Sequence, residues 1–316
     1  MTAPSARDVR HAAERISATV HRTPVMTSRS FNREAGVRVF FKCENLQLGG
    51  AFKIRGAANF VRSLTPEELK RGVVAYSSGN HAQAVAIAAR KAGTKATVVM
   101  PLDAPQSKFE ATEANAATIV RYDRLKENRE EIARRIADET GAITIPPYDH
   151  PWTIAGQGTA ALELLEDIPD MDAMITPIGG GGLMSGCALI AHEIKPSIRL
   201  FGAEPEEARD TWLSLRKGER VEIPTPATIA DGLRATSPGA ITFPILKKHL
   251  EGVLLVTEDE IKSAIRFLLT RMKILVEPSG AVPAAALLAR KLPAGIRSIG
   301  VILSGGNIDF ELLASL

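Results

Sequence analysis

Short apolar runs and amphipathic stretches alternate along most of the chain. Apolar positions at helical spacing predict helices over residues 5–18, 54–64, 82–92 and 126–138. Runs rich in β-branched residues predict strands over residues 37–42, 73–76, 97–100, 119–121 and 143–145. Strands that alternate with helices are typical of a parallel sheet covered by helices on both faces.

The second half of the chain continues this alternation. The predicted strands are residues 173–178, 200–203, 253–256 and 299–303, and the predicted helices include residues 159–166, 183–194 and 281–290. A further helix, capped at Thr257, has one apolar face made of Ile261, Ala264, Ile265, Leu268 and Met272. Residues 209–244 have a less regular pattern. The sequence therefore predicts an α/β fold of two doubly wound domains, with a ligand between them at the carboxyl ends of the strands.

Composition narrows the possible functions. The chain has 316 residues, of which 45% are hydrophobic and 24% charged, and a net charge of +3 with scattered Lys and Arg. This pattern predicts neither nucleic-acid binding nor a membrane span. Cys43 and Cys187 fit no metal or disulfide spacing, and residues 1–15 lack the apolar stretch of a signal peptide. A cytoplasmic protein with reduced thiols is the expectation.

The stretch around Lys53 suggests covalent chemistry. This lysine stands between Phe52 and Ile54, with two glycines shortly before it and one shortly after it. Glycines let the backbone approach a ligand closely, and apolar surroundings favour the free amine, which forms Schiff bases with aldehydes. Taken alone, this segment favours a surface lysine in a turn, and the three stretches described next change that interpretation.

A run of four glycines follows the predicted strand at residues 173–178 and opens the next helix. Its backbone N–H groups and the helix N-terminus suit a small phosphate. The run lacks the lysine of a P-loop and the glycine spacing of a dinucleotide site, so a monophosphate fits better. The residues are Gly179, Gly180, Gly181, Gly182 and Leu183.

Two other polar stretches also follow strands. Ser77, Ser78, Gly79, Asn80 and His81 precede a helix and could hold a carboxylate or simply cap the helix. His81 is more typical of a packed or capping histidine than of a base.

The second of these stretches is Ser304-Gly305-Gly306-Asn307, which ends the last predicted strand. The Ser304 hydroxyl could bond a ring nitrogen without supplying a charge, and its neighbours do not form a nucleophile elbow.

Together these motifs resemble the fold type II pyridoxal-phosphate enzymes, in particular the serine/threonine dehydratase and serine racemase family, which includes 3-hydroxyaspartate ammonia-lyases. The resemblance extends over residues 23–307. It implies a fold like that of the tryptophan synthase β chain. It also implies a large cofactor domain of residues 1–66 and 151–316, with residues 67–150 inserted as a small domain, and a homodimer that acts on a small amino acid.

The resemblance also implies the cofactor site. Lys53 would be joined to pyridoxal 5'-phosphate and would return as the base that removes the α-proton of the substrate. Phe52 would pack on the cofactor ring, Asn80 would bond its 3-hydroxyl and Ser304 would face its pyridine nitrogen. Its phosphate would be held by Gly179, Gly180, Gly181, Gly182 and Leu183.

For the substrate, the resemblance implies that Ser77, Ser78, Gly79, Asn80 and His81 receive the carboxylate. Ser78 would lie on the face opposite Lys53, where racemases exchange the proton. A neutral partner at the pyridine nitrogen favours loss of a β-hydroxyl over transamination, and the product hydrolyses to a 2-oxo acid and ammonia.

A divalent cation is the second implied cofactor. Glu204 and Asp210, with the backbone carbonyl of Ala208, resemble the Mg, Mn or Ca site of the racemase branch, and oxygen ligands suit these ions. A solvated acidic turn is the alternative.

Three departures from the family pattern affect substrate preference or regulation. Ala51 stands where many members have a serine that helps to hold the substrate carboxylate. His150, if it faces the site and is protonated, could pair with a second carboxylate, which suggests 3-hydroxyaspartate as substrate. The chain continues only briefly after Asn307, so the regulatory domain of biosynthetic threonine dehydratases is not expected.

The leading hypothesis is a lyase that eliminates water and ammonia from a hydroxy amino acid, namely threonine, serine or 3-hydroxyaspartate. A racemase with dehydratase side activity is the first alternative. A β-replacement enzyme such as cysteine synthase and a non-catalytic ligand-binding protein with the same fold are further alternatives.

Overall fold

The computed structural model describes residues 2–77, 79–104, 106–123 and 125–316. The helices among them are α1 Ala6–Ile16, α2 Arg29–Ala35, α3 Lys53–Val61, α4 Pro66–Arg71, α5 Asn80–Ala92, α6 Gln106–Glu113, α7 Arg129–Thr140, α8 Pro151–Asp167, α9 Gly182–Ile194, α10 Asp210–Lys217, α11 Thr242–His249, α12 Glu258–Phe267, α13 Pro278–Leu288 and α14 Phe310–Ser315. The strands are β1 Val25–Met26, β2 Arg38–Cys43, β3 Val73–Tyr76, β4 Ala96–Pro101, β5 Thr118–Tyr122, β6 Ile143–Thr144, β7 Ala173–Pro177, β8 Arg199–Pro205, β9 Gly252–Val256 and β10 Ser298–Leu303.

The strands form two sheets. One has the order β1-β2-β10-β7-β8-β9, and all its neighbours are parallel except β1 and β2. The other has the order β5-β4-β3-β6 and is parallel throughout. The prediction of an α/β fold with mostly parallel sheets is confirmed. Because β10 joins β2 to β7, the end of the chain lies beside the segment that leads to Lys53.

Most predicted elements match to within a few residues, and the largest differences are in the helices. Helix α8 begins at Pro151, eight residues before its predicted start at residue 159. The stretch 209–244, predicted to be irregular, contains α10 and the first turn of α11. Each of these helices has eight residues, about two turns, which is too short to show a clear 3.6-residue period.

The apolar face predicted after Thr257 is confirmed. Thr257 forms a capping box with Glu260, and the five predicted core side chains are buried. The helix changes to a π-helix at Leu268–Met272. Among the described residues, no helix has the length and apolar character needed to cross a membrane.

A buried charge network holds the start of α3 in place. The Arg55 guanidinium donates to both carboxylate oxygens of Glu44, at 2.7 and 2.8 Å, and to both oxygens of Glu163, at 2.7 and 2.9 Å. Lys42 pairs with Glu163 at 2.5 Å. Two cations therefore face two carboxylates, and bidentate pairing fixes their geometry. This network ties the turn that carries Lys53 to β2 and α8.

Candidate active site

Lys53 is the first residue of α3, and its amine is held in a largely apolar setting. Its Nζ donates to the backbone carbonyl of Pro147 at 2.8 Å and lies 5.2 Å from the centre of the Phe52 ring. Burial lowers the pKa of Lys53 to about 8, although the carboxylate of Glu277 acts in the opposite direction. This amine therefore loses its proton more readily near neutral pH than an ordinary lysine does, as a nucleophile or a base requires.

Backbone hydrogen bonds join the segment before Lys53 to the end of β10. Ala51 bridges Gly305, and the N–H of Phe52 donates to the carbonyl of Ser304 at 3.0 Å. The Asn307 side chain donates to the carbonyl of Gly49 at 2.8 Å. The serine-glycine stretch predicted to face the cofactor therefore adjoins the lysine in the structure.

Asn80 lies beside the same group of residues. Its Nδ2 donates to the two carboxylate oxygens of Glu277, at 2.8 and 3.0 Å, and its Oδ1 accepts from Asn307 at 2.9 Å. Glu277 is the N-terminal cap residue of α13 and is nearly fully buried. These contacts fix the orientation of the Asn80 amide at the beginning of α5.

Sequence reasoning did not identify Glu277 as a site residue. The available signal was the sequence Glu-Pro-Ser-Gly, which is typical of a helix start, and it gave no indication of proximity to Lys53.

The segment predicted to receive a carboxylate leads into α5. The N–H of Gly79 donates to Ser77 Oγ at 3.2 Å, and no side chain among the described residues caps this helix. Ser78 lies outside the described residues. His81 is a packed residue: its Nε2 contacts the carbonyl of Ile145 at 2.9 Å, and burial lowers its pKa to about 3. Its imidazole is thus neutral at physiological pH and carries no charge to a substrate.

The glycine run forms the turn between β7 and α9. Gly181 has a φ of +91° and occupies the N-terminal cap position, and no described side chain caps the helix. The carbonyl of Gly180 accepts from Thr242 Oγ1 at 2.7 Å. A Cβ at Gly180 would lie 2.3 Å from the Tyr148 ring, so only glycine allows this approach. The turn places backbone N–H groups at a helix N-terminus, the arrangement that binds phosphate.

Tyr148 connects the glycine turn to the lysine, because it follows Pro147, whose carbonyl accepts from Lys53. Gln157 also lies beside the turn, and a Cβ at Gly182 would be 2.7 Å from its Oε1. Both amide atoms of this buried side chain have no hydrogen-bond partner among the described residues. An unpartnered amide next to a phosphate-binding turn fits the predicted cofactor. The sequence indicated only a polar residue inside an otherwise apolar helix.

The predicted cation ligands are close together and buried. Glu204 accepts from the backbone N–H groups of Thr211 and Trp212, at 3.1 and 2.9 Å. Burial and the nearby Asp210 raise the pKa of Glu204, and burial raises the pKa of Asp210 to about 7. Both carboxylate oxygens of Asp210 are buried without partners among the described residues, and Ala208 is buried as well. Within the described part of the chain no group of three or more His, Cys, Asp or Glu side chains is arranged so that it could hold a metal ion. The two carboxylates nevertheless fit a cation that backbone oxygens help to hold.

The role suggested for His150 is wrong. Its Nδ1 accepts from the N–H of Trp152 at 3.2 Å at the start of α8, and its ring packs 4.6 Å from Phe60. Together with Thr2 and Pro4 it lines a surface hollow of about 400 Å³. Burial lowers the pKa of His150 to about 4, so the ring is neutral at pH 7 and does not carry the positive charge that the prediction required.

Known proteins are similar to this chain over nearly its whole length. The chain is 46% identical to the L-threo-3-hydroxyaspartate ammonia-lyase of Saccharomyces cerevisiae over 100% of this chain and 97% of that protein. It is also 46% identical to the serine racemase of Schizosaccharomyces pombe, over 98% and 96% of the two chains. The structure of maize serine racemase superimposes with a TM-score of 0.96 at 44% identity, covering 99% of this chain and 96% of that one.

The predicted family is confirmed by these matches. A family model described as pyridoxal-phosphate dependent enzyme matches residues 16–305, which include the lysine turn and the glycine turn. The chain belongs to the family of pyridoxal-phosphate dependent enzymes.

Proposed function

We propose that this protein is an ammonia-lyase that uses pyridoxal 5'-phosphate to eliminate water and ammonia from a hydroxy amino acid, yielding a 2-oxo acid. The observation that carries the proposal is the Lys53 amine, which is partly buried, has a lowered pKa and is linked through Pro147 and Tyr148 to the glycine turn. Relatives that match the whole chain are named as ammonia-lyases and serine racemases.

The residues present fit this cofactor. Lys53 would bind its aldehyde, Phe52 would contact its ring, and Asn80 and Ser304 would bond its polar ring positions. When bound, pyridoxal phosphate supplies an electron-accepting ring next to the α-carbon of the substrate. The phosphate would bind to the turn formed by Gly179, Gly180, Gly181, Gly182 and Leu183.

Residues of the protein would bind the substrate carboxylate and accept the α-proton. The substrate carboxylate would bind at the N-terminus of α5, to the segment formed by Ser77, Ser78, Gly79, Asn80 and His81, where the helix dipole favours an anion. The Lys53 amine, with a pKa of about 8, accepts the α-proton near neutral pH. The Pro147 carbonyl accepts a hydrogen bond from this amine and so orients it.

The lyase proposal is tested by measuring 2-oxo acid and ammonia release from L-threo-3-hydroxyaspartate, threonine and serine. Lys53→Ala should abolish release from every substrate. Lys91→Ala, at an exposed position in α5, should leave it unchanged. Release that survives in Lys53→Ala, or no release from any hydroxy amino acid by the wild type, would reject the proposal.

A racemase with side elimination is the second candidate, because several full-length relatives are named serine racemases. Racemisation needs a second proton donor on the face opposite Lys53, and Ser78 is the proposed residue. Ser78→Ala should remove action on D-serine while elimination from L-serine continues. Equal loss of both activities would argue against separate roles for the two faces.

We further propose 3-hydroxyaspartate as the preferred substrate. Two relatives at 46% and 47% identity carry that substrate in their names. With His150 neutral, the second carboxylate needs another cation, and we assign it to Arg129. This guanidinium lies 5.7 Å from the centre of the Tyr76 ring and is among the charges that act on Tyr148.

Arg129→Met should lower kcat/KM for 3-hydroxyaspartate by about tenfold or more and leave kcat/KM for threonine unchanged. The reason is that only 3-hydroxyaspartate has a second carboxylate that can pair with the guanidinium. Arg134→Met, at an exposed position in the same helix, is the control. A parallel loss on both substrates would reject this assignment.

A divalent cation bound by Glu204, Asp210 and the carbonyl of Ala208 is also proposed, with the unpartnered carboxylate oxygens of Asp210 as support. Mg²⁺, Mn²⁺ or Ca²⁺ should raise the melting temperature of the wild type, because a ligand that binds only the folded state stabilises it. In Asp210→Asn this increase should disappear. An equal increase in both proteins would reject the site.

The remaining proposals concern the domain boundaries, the cellular location and the oligomeric state. We propose a large domain of residues 1–66 and 151–316 and a small domain of residues 67–150, which the separation of the two sheets supports. We also propose a cytoplasmic homodimer. Sedimentation at micromolar concentration tests the dimer, and limited proteolysis tests the domain boundaries.

A further inference from the structure

Gln157 is a buried amide for which the protein provides no hydrogen-bond partner. It lies in the middle of α8 with 0% of its surface exposed. Neither Nε2 nor Oε1 bonds to any described residue. A buried amide without partners is costly, and in native proteins such a group usually indicates a missing ligand or water.

The position of this amide indicates which ligand would satisfy it. A Cβ at Gly182 would lie 2.7 Å from Gln157 Oε1 and 2.9 Å from Tyr148 Cβ, so the amide contacts the last glycine of the turn. Helix α9 begins at this glycine without a side-chain cap among the described residues. The amide and the helix N-terminus therefore converge on the same place.

Other polar side chains of α8 are satisfied within the protein. Thr153 donates to the carbonyl of Pro146 at 3.3 Å, and Thr159 donates to the carbonyl of Gly156 at 2.7 Å. Gln157 thus differs from its neighbours on the helix. An apolar residue of similar volume would fill the position more favourably if packing alone determined it.

We propose that Gln157 donates its Nε2–H to the phosphate of pyridoxal 5'-phosphate at the glycine turn, and that it is a positioning residue for the cofactor. This inference rests on the proposed function. A neutral amide adds a donor for the phosphate without introducing a charge. Glutamate at the same position would place a negative charge against an anion.

The test compares two aldehydes that differ only in the phosphate. The affinities of the cofactor-free protein for pyridoxal 5'-phosphate and for pyridoxal are measured by absorbance titration. Gln157→Met should weaken pyridoxal 5'-phosphate binding about ten- to one-hundredfold, as expected for a hydrogen bond to a charged group, and leave pyridoxal binding unchanged. Gln157→Glu should weaken the binding of pyridoxal 5'-phosphate further than Gln157→Met does. Leu165→Met, a core change in the same helix, should alter neither.

Two further measurements separate this role from a purely structural one. The ³¹P NMR shift of the bound cofactor should change in Gln157→Met and not in Leu165→Met. The cofactor-free Gln157→Met protein should melt at the wild-type temperature or above it, because the substitution removes an unpartnered amide.

Equal weakening of both aldehydes, or unchanged binding of pyridoxal 5'-phosphate in both Gln157 variants, would overturn the assignment and leave the proposed function intact. A wild-type protein that binds neither aldehyde would reject the proposed function and this assignment with it.

Discussion

The lowered pKa of Lys53 leads to a quantitative prediction. At pH 7 an amine with a pKa of about 8 is roughly one-tenth unprotonated, whereas an amine at the ordinary value of 10.5 is unprotonated to only about 0.03%. The site therefore presents about 300 times more free amine than an exposed lysine would. The perturbation that tests this is Glu277→Gln, because the carboxylate of Glu277 opposes the effect of burial.

The assay measures the rate at which cofactor-free protein combines with pyridoxal 5'-phosphate between pH 6 and pH 11. For the wild type the rate should rise with pH and level off near pH 8. In Glu277→Gln the inflection of the curve of rate against pH should move to a lower pH than in the wild type. Glu139→Gln, at an exposed position in α7, should leave it in place. A wild-type inflection near pH 10.5, or an upward shift in Glu277→Gln, would refute the burial argument.

The same pKa makes a prediction about folding. The pKa of Lys53 is lower in the folded state, so between pH 8 and pH 10.5 the unfolded chain binds more protons and stability rises with pH. The difference between 10.5 and about 8 corresponds to roughly 3 kcal/mol. In Lys53→Met this contribution should disappear. Between pH 8 and pH 10.5 the unfolding free energy of the cofactor-free wild type should therefore rise by roughly 3 kcal/mol relative to that of cofactor-free Lys53→Met.

Two other substitutions test the structural support of the site. Gly180→Ala would place a Cβ 2.3 Å from the Tyr148 ring and should weaken cofactor binding at least tenfold by titration, because the ring must move. Gly252→Ala, with no atom within 4 Å of the added carbon, should have no effect, and equal affinities in the two variants would contradict this argument. Arg55→Met should lower the unfolding free energy in urea by about 3–5 kcal/mol, because it leaves the Glu44 carboxylate buried without its main partner. A loss below about 1 kcal/mol would show that the remaining contacts of Glu44 are sufficient.

Local patterns predicted the parts of the site that follow strands. The glycine turn and the Ser304 segment follow β7 and β10 of the six-stranded sheet, and the Asn80 segment follows β3 of the four-stranded sheet. Ligands of parallel α/β sheets bind at such carboxyl ends of strands. Glycine and serine at these positions therefore indicated ligand contacts before the structure was considered. The resemblance to a known family then supplied the order of the motifs.

Contacts between distant segments of the chain could not be predicted from local sequence patterns. Glu277 and Gln157 approach the site only through the packing of α13 and α8, and neither has a local sequence pattern that signals this. His150 was predicted to pair with a second carboxylate on the condition that it faces the site and is protonated. In the structure it accepts a backbone hydrogen bond and packs against Phe60, and both contacts depend on tertiary structure.

The central claim is that the Lys53 amine carries pyridoxal 5'-phosphate. The most direct measurement is mass spectrometry of the protein after borohydride reduction and proteolysis. A phosphopyridoxyl group is expected on the peptide that contains Lys53 and on no other peptide. The same group on another lysine, or on none, would show that Lys53 does not carry the cofactor.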